Sequence, residues 1–335
     1  MTSPLRCGVL GLGVGEQHAL AYQADQRCRL VGLCDSDADK LAEVGGRFPQ
    51  IRLFENWSAL MEDGAINVVS IASFDSDHAS QIIDALGRGI HVFVEKPLCQ
   101  TSDELAAIRF AVQASGKVLH TNLVLRMAPS FIWLRDAIAA GHLGTVFAFD
   151  GDYLYGRIHK IVSGWRSEIP FYSVIQGGGV HLIDLMQWCL GEIPASVHAV
   201  GNKICSKDSQ FRFPDFVAAT FCFPSGIIGR ISANFGCVHR HQHVVRVFGT
   251  KGTFISDQFG PRFINLRDGE MSMLGNLSCL PPGKGVLIPL FLDAILNLDP
   301  SGATGTPGHL AAMKLCLAAD EALCTGQTIE ILHDN

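Results

Sequence analysis

The 335-residue chain lacks any run of roughly 18 consecutive apolar residues, the length a membrane-spanning helix requires. Its longest apolar stretch near the end, 286–298, is broken by Pro289 and Asp293 and reads as a docking helix. Basic blocks are missing as well. Against 32 Asp and Glu stand 26 Lys and Arg, and the net charge of -6 offers no footprint for a polyanion. Neither a membrane nor a nucleic acid is therefore expected as a partner. Strand-like sequence begins by Arg6, which leaves no room for a charged leader and an apolar signal core, so the cytoplasm is the expected compartment. There is no internal repeat and no low-complexity linker. The eleven cysteines are scattered, and Cys7, Cys34 and Cys222 fall in apolar strand-like runs where a thiol acts as a small hydrophobe; we expect reduced thiols.

What the chain does have is a composition suited to burial, 48% hydrophobic and 17% charged. At roughly 100 to 200 residues per domain, its length predicts two domains. Residues 1–122 alternate short β-branched runs with helical patterns, the order of a parallel sheet with right-handed crossovers. Strands are expected at 6–10, 29–34, 51–54, 67–72, 91–94 and 117–121, and a capping box, Thr101-Ser-Asp-Glu104, opens one of the helices. After Asn122 the pattern changes. A helix is expected from Pro129 to near Gly141, and then Phe147, Phe149, Tyr153 and Tyr155 alternate with polar residues such as Asp150 and Asp152, as in an antiparallel sheet with one packed face. This second domain is expected over 123–303. Residues 304–335 should add a closing helix, with Thr306 as N-cap and Pro307 in its first turn, and a strand.

The first strand runs into Gly11-Leu-Gly13-Val14-Gly15 and then a helix, with Asp35 at the tip of the second strand. Glycines there let the backbone approach a pyrophosphate at the helix N-terminus, and the acid accepts hydrogen bonds from the adenosine ribose. The loop is one residue shorter than the usual G-x-G-x-x-G. Asp35 is followed by Ser36 and Asp37 with no arginine nearby, so a 2′-phosphate would meet like charge; NAD is expected rather than NADP.

Further on, Gly89-Ile-His-Val-Phe-Val-Glu95-Lys96-Pro97 places a lysine at the carboxyl end of a buried strand, where open α/β sheets hold their ligands. Alone, that element reads more readily as a surface lysine in a loop. Together with Gly11-Leu-Gly13 and His18, with His78, Arg126 and Pro129, with Gly141-His-Leu-Gly144 and with Gly177-Gly-Gly-Val-His181-Leu-Ile-Asp184, it resembles the glucose-fructose oxidoreductase / inositol dehydrogenase / MocA family in order over nearly the whole chain. The resemblance implies an α/β Rossmann domain followed by an α+β domain with a large open, mainly antiparallel sheet, substrate between them, and a closing helix packed back on the first domain. It implies Lys96 and His181 as catalytic residues that meet near the nicotinamide. Cofactor contacts would come from Gly11, Gly13, Val14, Gly15, Asp35, Ser73, His78, Glu95, Lys96, Trp165 and Arg166. Substrate contacts would come from Lys96, Arg126, Tyr155, Tyr172, His181 and Asp184. One departure stands out: the family usually carries an Asp four residues before the histidine, and that position here is Gly177.

The implied activity is NAD-dependent oxidation or reduction of a secondary hydroxyl of a sugar, nucleotide sugar or cyclitol, with a lean toward a nucleotide-sugar (UDP-N-acetylglucosamine-like) 3-dehydrogenase. Such a reaction must remove the hydroxyl proton while hydride leaves the carbon. A free lysine, with pKa about 10.4, needs desolvation or a nearby positive charge to accept that proton; a histidine at about 6.5 needs little tuning. Two alternatives stay open: a member that recycles tightly bound NAD with no net redox change, and a catalytically silent NAD-binding regulator. His239, His241 and His243 alternate as metal ligands could, but no Cys or carboxylate joins them at ligand spacing, and no metal is expected. An exposed apolar sheet face would favour a homodimer or homotetramer.

Overall fold

The structure, a computed structural model, describes residues 4–163, 165–267, 272–275, 277–298 and 306–332, with the backbone alone for Trp165. The chain divides into two compact units: residues 1–124 with 282–310, and residues 125–281 with 311–335.

The first unit is built on a six-stranded parallel sheet of β1 (Leu5–Leu10), β2 (Cys28–Cys34), β3 (Arg52–Phe54), β4 (Val68–Ile71), β5 (His91–Val94) and β6 (Leu119–Thr121), in the order β3-β2-β1-β4-β5-β6. Every residue of β4 is buried, the signature of a strand covered on both faces. Strand order reverses between β1 and β4, so a crevice opens at the carboxyl ends of those two strands. The helix Ser102–Ser115 starts at the expected capping box, with Thr101 and Glu104 satisfying each other's backbone N–H groups. Residues 282–310 return to this unit rather than staying with the second, as the expected boundary at 303 had it. The reason is an apolar face: Phe291 and Leu292 of the helix Ile288–Ile295 are fully buried, and the Phe291 ring lies 5.5 Å from Phe93 and 5.7 Å from His120.

The second unit carries a nine-stranded sheet among the described residues. It comprises β7 (Val146–Leu154), β8 (Ser196–Asn202), β9 (Phe216–Cys222), β10 (Ile228–Asn234), β11 (Gln242–Gly249), β12 (Thr253–Asp257), β13 (Gly260–Ile264), β14 (Ser272–Met273) and β15 (Ile329–Glu330). The order is β14-β13-β12-β11-β7-β10-β9-β8-β15, antiparallel except where β7 meets β10. One face is packed. Gly151 of β7 lies against Leu182 of the helix Val180–Leu190, and Phe131 and Trp133 of the helix Pro129–Ala139 stack around Phe254. The other face mixes charge with the expected apolar surface. Its centre is a charged network in which Arg230 pairs with Asp150 and Arg246 with Asp152, while Ser232 Oγ donates to Asp152; Val200 and Ile228 are among its exposed apolar residues.

The closing helix, Thr306–Thr325, was expected to pack back on the first unit, and only its first turn does so. Thr306 Oγ accepts from Leu119 N and donates to Leu119 O. From Ala311 onward the helix belongs to the second unit. No helix among the described residues is long and apolar enough to cross a membrane.

Candidate active site

The shortened glycine loop keeps all three of its duties. Gly11 has φ +80°, and a Cβ there would run into Ala72 O, so a side chain is excluded on two counts. Gly13 has nothing within 4 Å of where a Cβ would stand, which leaves bare backbone open to a ligand. Gly15 sits tight on the sheet, its Cβ position 3.0 Å from Val9 Cγ1 and 3.3 Å from Ala72 Cβ. The helix Gly15–Ala24 begins at Val14 with no side-chain cap, so its first N–H groups remain for an anion. Asp35 is fixed at the end of β2 by two backbone donors, Leu12 N at 2.7 Å and Asp37 N at 3.0 Å, and keeps acceptor capacity for ribose hydroxyls. These features fit a dinucleotide, and the acids around Asp35 disfavour a 2′-phosphate.

Lys96 follows β5 and precedes Pro97 across a cis bond. Two residues expected to touch the cofactor, Glu95 and His78, brace this turn. Glu95 Oε1 accepts from Asn122 Nδ2 at 2.6 Å and lies 3.4 Å from His18 Nε2. Burial by itself would raise the Glu95 pKa. The His18 hydrogen bond and charge, the Lys96 charge and the Asn122 amide outweigh burial and bring it down to about 2, so Glu95 is an anion. Asn122 also donates to Lys284 O at 2.9 Å. His78 is wholly buried, and its Nδ1 donates to Pro97 O at 2.7 Å. Ser73 Oγ donates to Gln81 Oε1 at 2.6 Å. His18 and Asn122 carry no local signal in the sequence: His18 is one of several buried positions on the helix Gly15–Ala24, and Asn122 simply follows β6.

In the second unit His181 opens the helix Val180–Leu190, directly after a π-helical turn, Ile175–Gly179. The glycines of that turn make room for rings. A Cβ at Gly177 would overlap the Tyr172 hydroxyl, and one at Gly178 would overlap the Tyr153 ring. The space where a side chain at 177 would begin is thus taken by Tyr172, whose hydroxyl accepts from Arg166 Nε at 3.1 Å. Gly178→Ala is expected to cost about 1–3 kcal/mol through overpacking, read from its urea midpoint against wild type. The His181 ring is 6% exposed; it stacks on Tyr153 at 6.4 Å and meets the edge of His243 at 5.9 Å. Tyr155, Phe235 and His241 extend the cluster. His239, expected to share its face, precedes β11 and is half-buried, with Nδ1 donating to Arg240 O. Among the described residues no three His, Cys, Asp or Glu side chains converge as metal ligands.

Arg126 and Asp184, both expected at the substrate, are engaged with each other. Arg126 Nε donates to Asp184 Oδ2 at 2.8 Å and a second guanidinium nitrogen donates to Oδ1, with the side chains 4% and 0% exposed. The side chain of Trp165 lies outside the described residues. A residue the sequence gave no signal for, Asp320, accepts from Ser173 Oγ at 2.7 Å and Gln176 Nε2 at 2.8 Å, bracing the π-helical turn ahead of His181. Burial raises its carboxyl to about 6 from the usual 3.8, against the opposing pull of those two hydrogen bonds. The folded chain therefore keeps a proton that the unfolded chain releases, and stability should fall as pH rises from about 4 to about 6. Asp320→Asn is expected to abolish that decline, checked by urea unfolding across the interval.

Residues 5–123 match the oxidoreductase family with an NAD-binding Rossmann fold, and residues 131–255 match the GFO/IDH/MocA C-terminal domain. The chain is 23% identical to the myo-inositol 2-dehydrogenase of Thermotoga maritima, covering 98% of each chain. It is 29% identical to the 1,5-anhydro-D-fructose reductase of Ensifer adhaerens, over 81% of this chain and 82% of the other. A levoglucosan dehydrogenase solved with NADH and levoglucosan shares the fold at TM-score 0.83 and 22% identity, covering 98% of this chain and 100% of that one.

Proposed function

The chain belongs to the GFO/IDH/MocA family of oxidoreductases, with an NAD-binding Rossmann domain, and from that premise we propose that it transfers hydride between NAD and a secondary hydroxyl of a sugar, nucleotide sugar or cyclitol. The observation that carries the reading is the Lys96 turn, set at the carboxyl end of β5 and backed by an ionised, partly buried Glu95. Bound NAD supplies the hydride acceptor.

The chain's own residues handle the proton. Glu95 favours the ammonium form of Lys96, which makes Lys96 a donor to the substrate oxygen as negative charge develops there. His181 takes the hydroxyl proton in the oxidative direction and returns it in the other. The named activities of the Thermotoga and Ensifer relatives, on an inositol and an anhydro-sugar, support a polyol substrate. A nucleotide sugar oxidised at its 3-hydroxyl is the finer form of the same proposal.

The test is NADH formation with a panel of inositols, free sugars, sugar phosphates and UDP-sugars, with product counted against cofactor. One mole of NADH per mole of ketone supports a dehydrogenase. Turnover of substrate with no net NADH replaces it with a recycling reaction, and NAD binding without turnover on any member replaces it with a regulator.

A further inference from the structure

Five arginines of the second unit pair with an aspartate, Arg135 with the adjacent Asp136 among them, while Arg157, Arg212 and Arg240 show no carboxylate partner among the described residues. The other four, Arg126, Arg230, Arg246 and Arg262, meet Asp184, Asp150, Asp152 and Asp257. The exposed guanidinium of Arg157 lies instead 5.6 Å from the centre of the Tyr155 ring. A guanidinium packed on an aromatic face still has its in-plane N–H donors, and those donors match the paired oxygens of a carboxylate or phosphate.

What gives Arg157 a partner to read is its position relative to His181. Tyr155 stacks on Tyr153 at 6.0 Å with the rings 14° apart, and Tyr153 stacks on His181 at 6.4 Å with the rings 20° apart. One continuous run of rings therefore joins the candidate proton acceptor to an unneutralised cation. A second guanidinium borders the same platform: Arg166 lies 5.5 Å over the Tyr172 ring and donates to its hydroxyl. The positive charges of Arg157 and Arg166 both act on the Tyr153 hydroxyl, although burial dominates there and raises its pKa. The backbone holds the segment in register. Gly156 has φ +61°, and a Cβ at that position would overlap His239 O, so the chain entering Arg157 is pressed against the backbone of residues 239–240. Rings suit the apolar face of a pyranose or cyclitol, and the cations beyond them suit a negatively charged substituent.

We propose that Arg157 is a specificity-determining residue that reads an anionic substituent, a carboxylate or a phosphate ester, on the polyol presented to His181. The proposal rests on the dehydrogenase reading for its substrate ring, and it narrows that reading to sugar acids or sugar phosphates over neutral polyols.

The test uses the full chain with NAD and three matched compounds: glucose, glucuronate and glucose 6-phosphate. The wild-type kcat/KM for one of the two anions should exceed that for glucose at least about tenfold, and Arg157→Gln should shrink that preference by about tenfold or more, mainly through KM. The preference should also weaken with added salt, and the Tm of the variant should match wild type, which a merely structural arginine would not give. Whichever anion carries the preference identifies the group as carboxylate or phosphate. Equal use of glucose and both anions, or a preference that Arg157→Gln leaves intact, overturns the proposal while leaving the dehydrogenase reading standing. Should none of the three be oxidised, calorimetric binding decides the matter separately. Arg157-dependent binding of an anion to the NAD-loaded protein supports the anion site against the dehydrogenase reading, and no such binding overturns it.

Discussion

Lys96→Ala is expected to lower kcat by roughly a hundred- to ten-thousand-fold, the usual worth of a positioned proton donor or acceptor, with NAD affinity little changed. The expectation follows from where the cofactor contacts and the lysine sit. The glycine loop and Asp35 that fit the dinucleotide belong to β1 and β2, whereas Lys96 follows β5. The structural cost should be small, because the turn is held by other groups: His78 binds Pro97 O, and Glu95 is bonded by Asn122. Two measurements check it, NAD binding by fluorescence titration and kcat with the substrate found in the panel. A variant that retains more than about a tenth of wild-type kcat would remove Lys96 from the chemistry. Loss of NAD binding in step with kcat would instead make it a cofactor ligand.

Removing one half of the Arg126–Asp184 pair should have the largest effect on stability. With Arg126→Met the Asp184 carboxylate, 0% exposed, is left without its counterion, and the expected loss is about 3–5 kcal/mol. The double variant Arg126→Met with Asp184→Leu should recover much of that loss, since two apolar side chains replace a pair whose desolvation cost rivals its attraction. Urea unfolding of the two single variants and the double supplies the cycle. The same experiment decides between a structural and a substrate role. If Asp184 bound substrate, Asp184→Asn would raise KM and leave the unfolding midpoint near wild type; the buried geometry predicts the reverse.

The cofactor cradle was legible from sequence because each of its requirements is local. A positive φ at Gly11, open backbone at Gly13 and close packing at Gly15 are demanded within five residues, and Asp35 follows at the end of the next strand. The alternation through β7 likewise exposed the sheet of the second unit, since a strand's period of two shows in its own residues. The position of Lys96 at a strand end was legible for the same reason.

The role of a charged side chain was not legible in this way. Arg126 and Asp184 lie 58 residues apart, Glu95 and Asn122 lie 27 apart, and Ser173 and Asp320 lie 147 apart. Nothing in the neighbourhood of Arg126 in the chain differs in kind from that of Arg157, yet one is buried on an aspartate and the other rests on a ring facing solvent. Sequence by itself determined the fold class, the NAD-binding loop and the candidate pair Lys96 and His181. Only the tertiary structure decided which carboxylates and cations are consumed inside the protein and which remain for a ligand. A charge taken out of water must find a counterion or a hydrogen-bond partner, and which partner it finds depends on the strands and helices that topology brings alongside it.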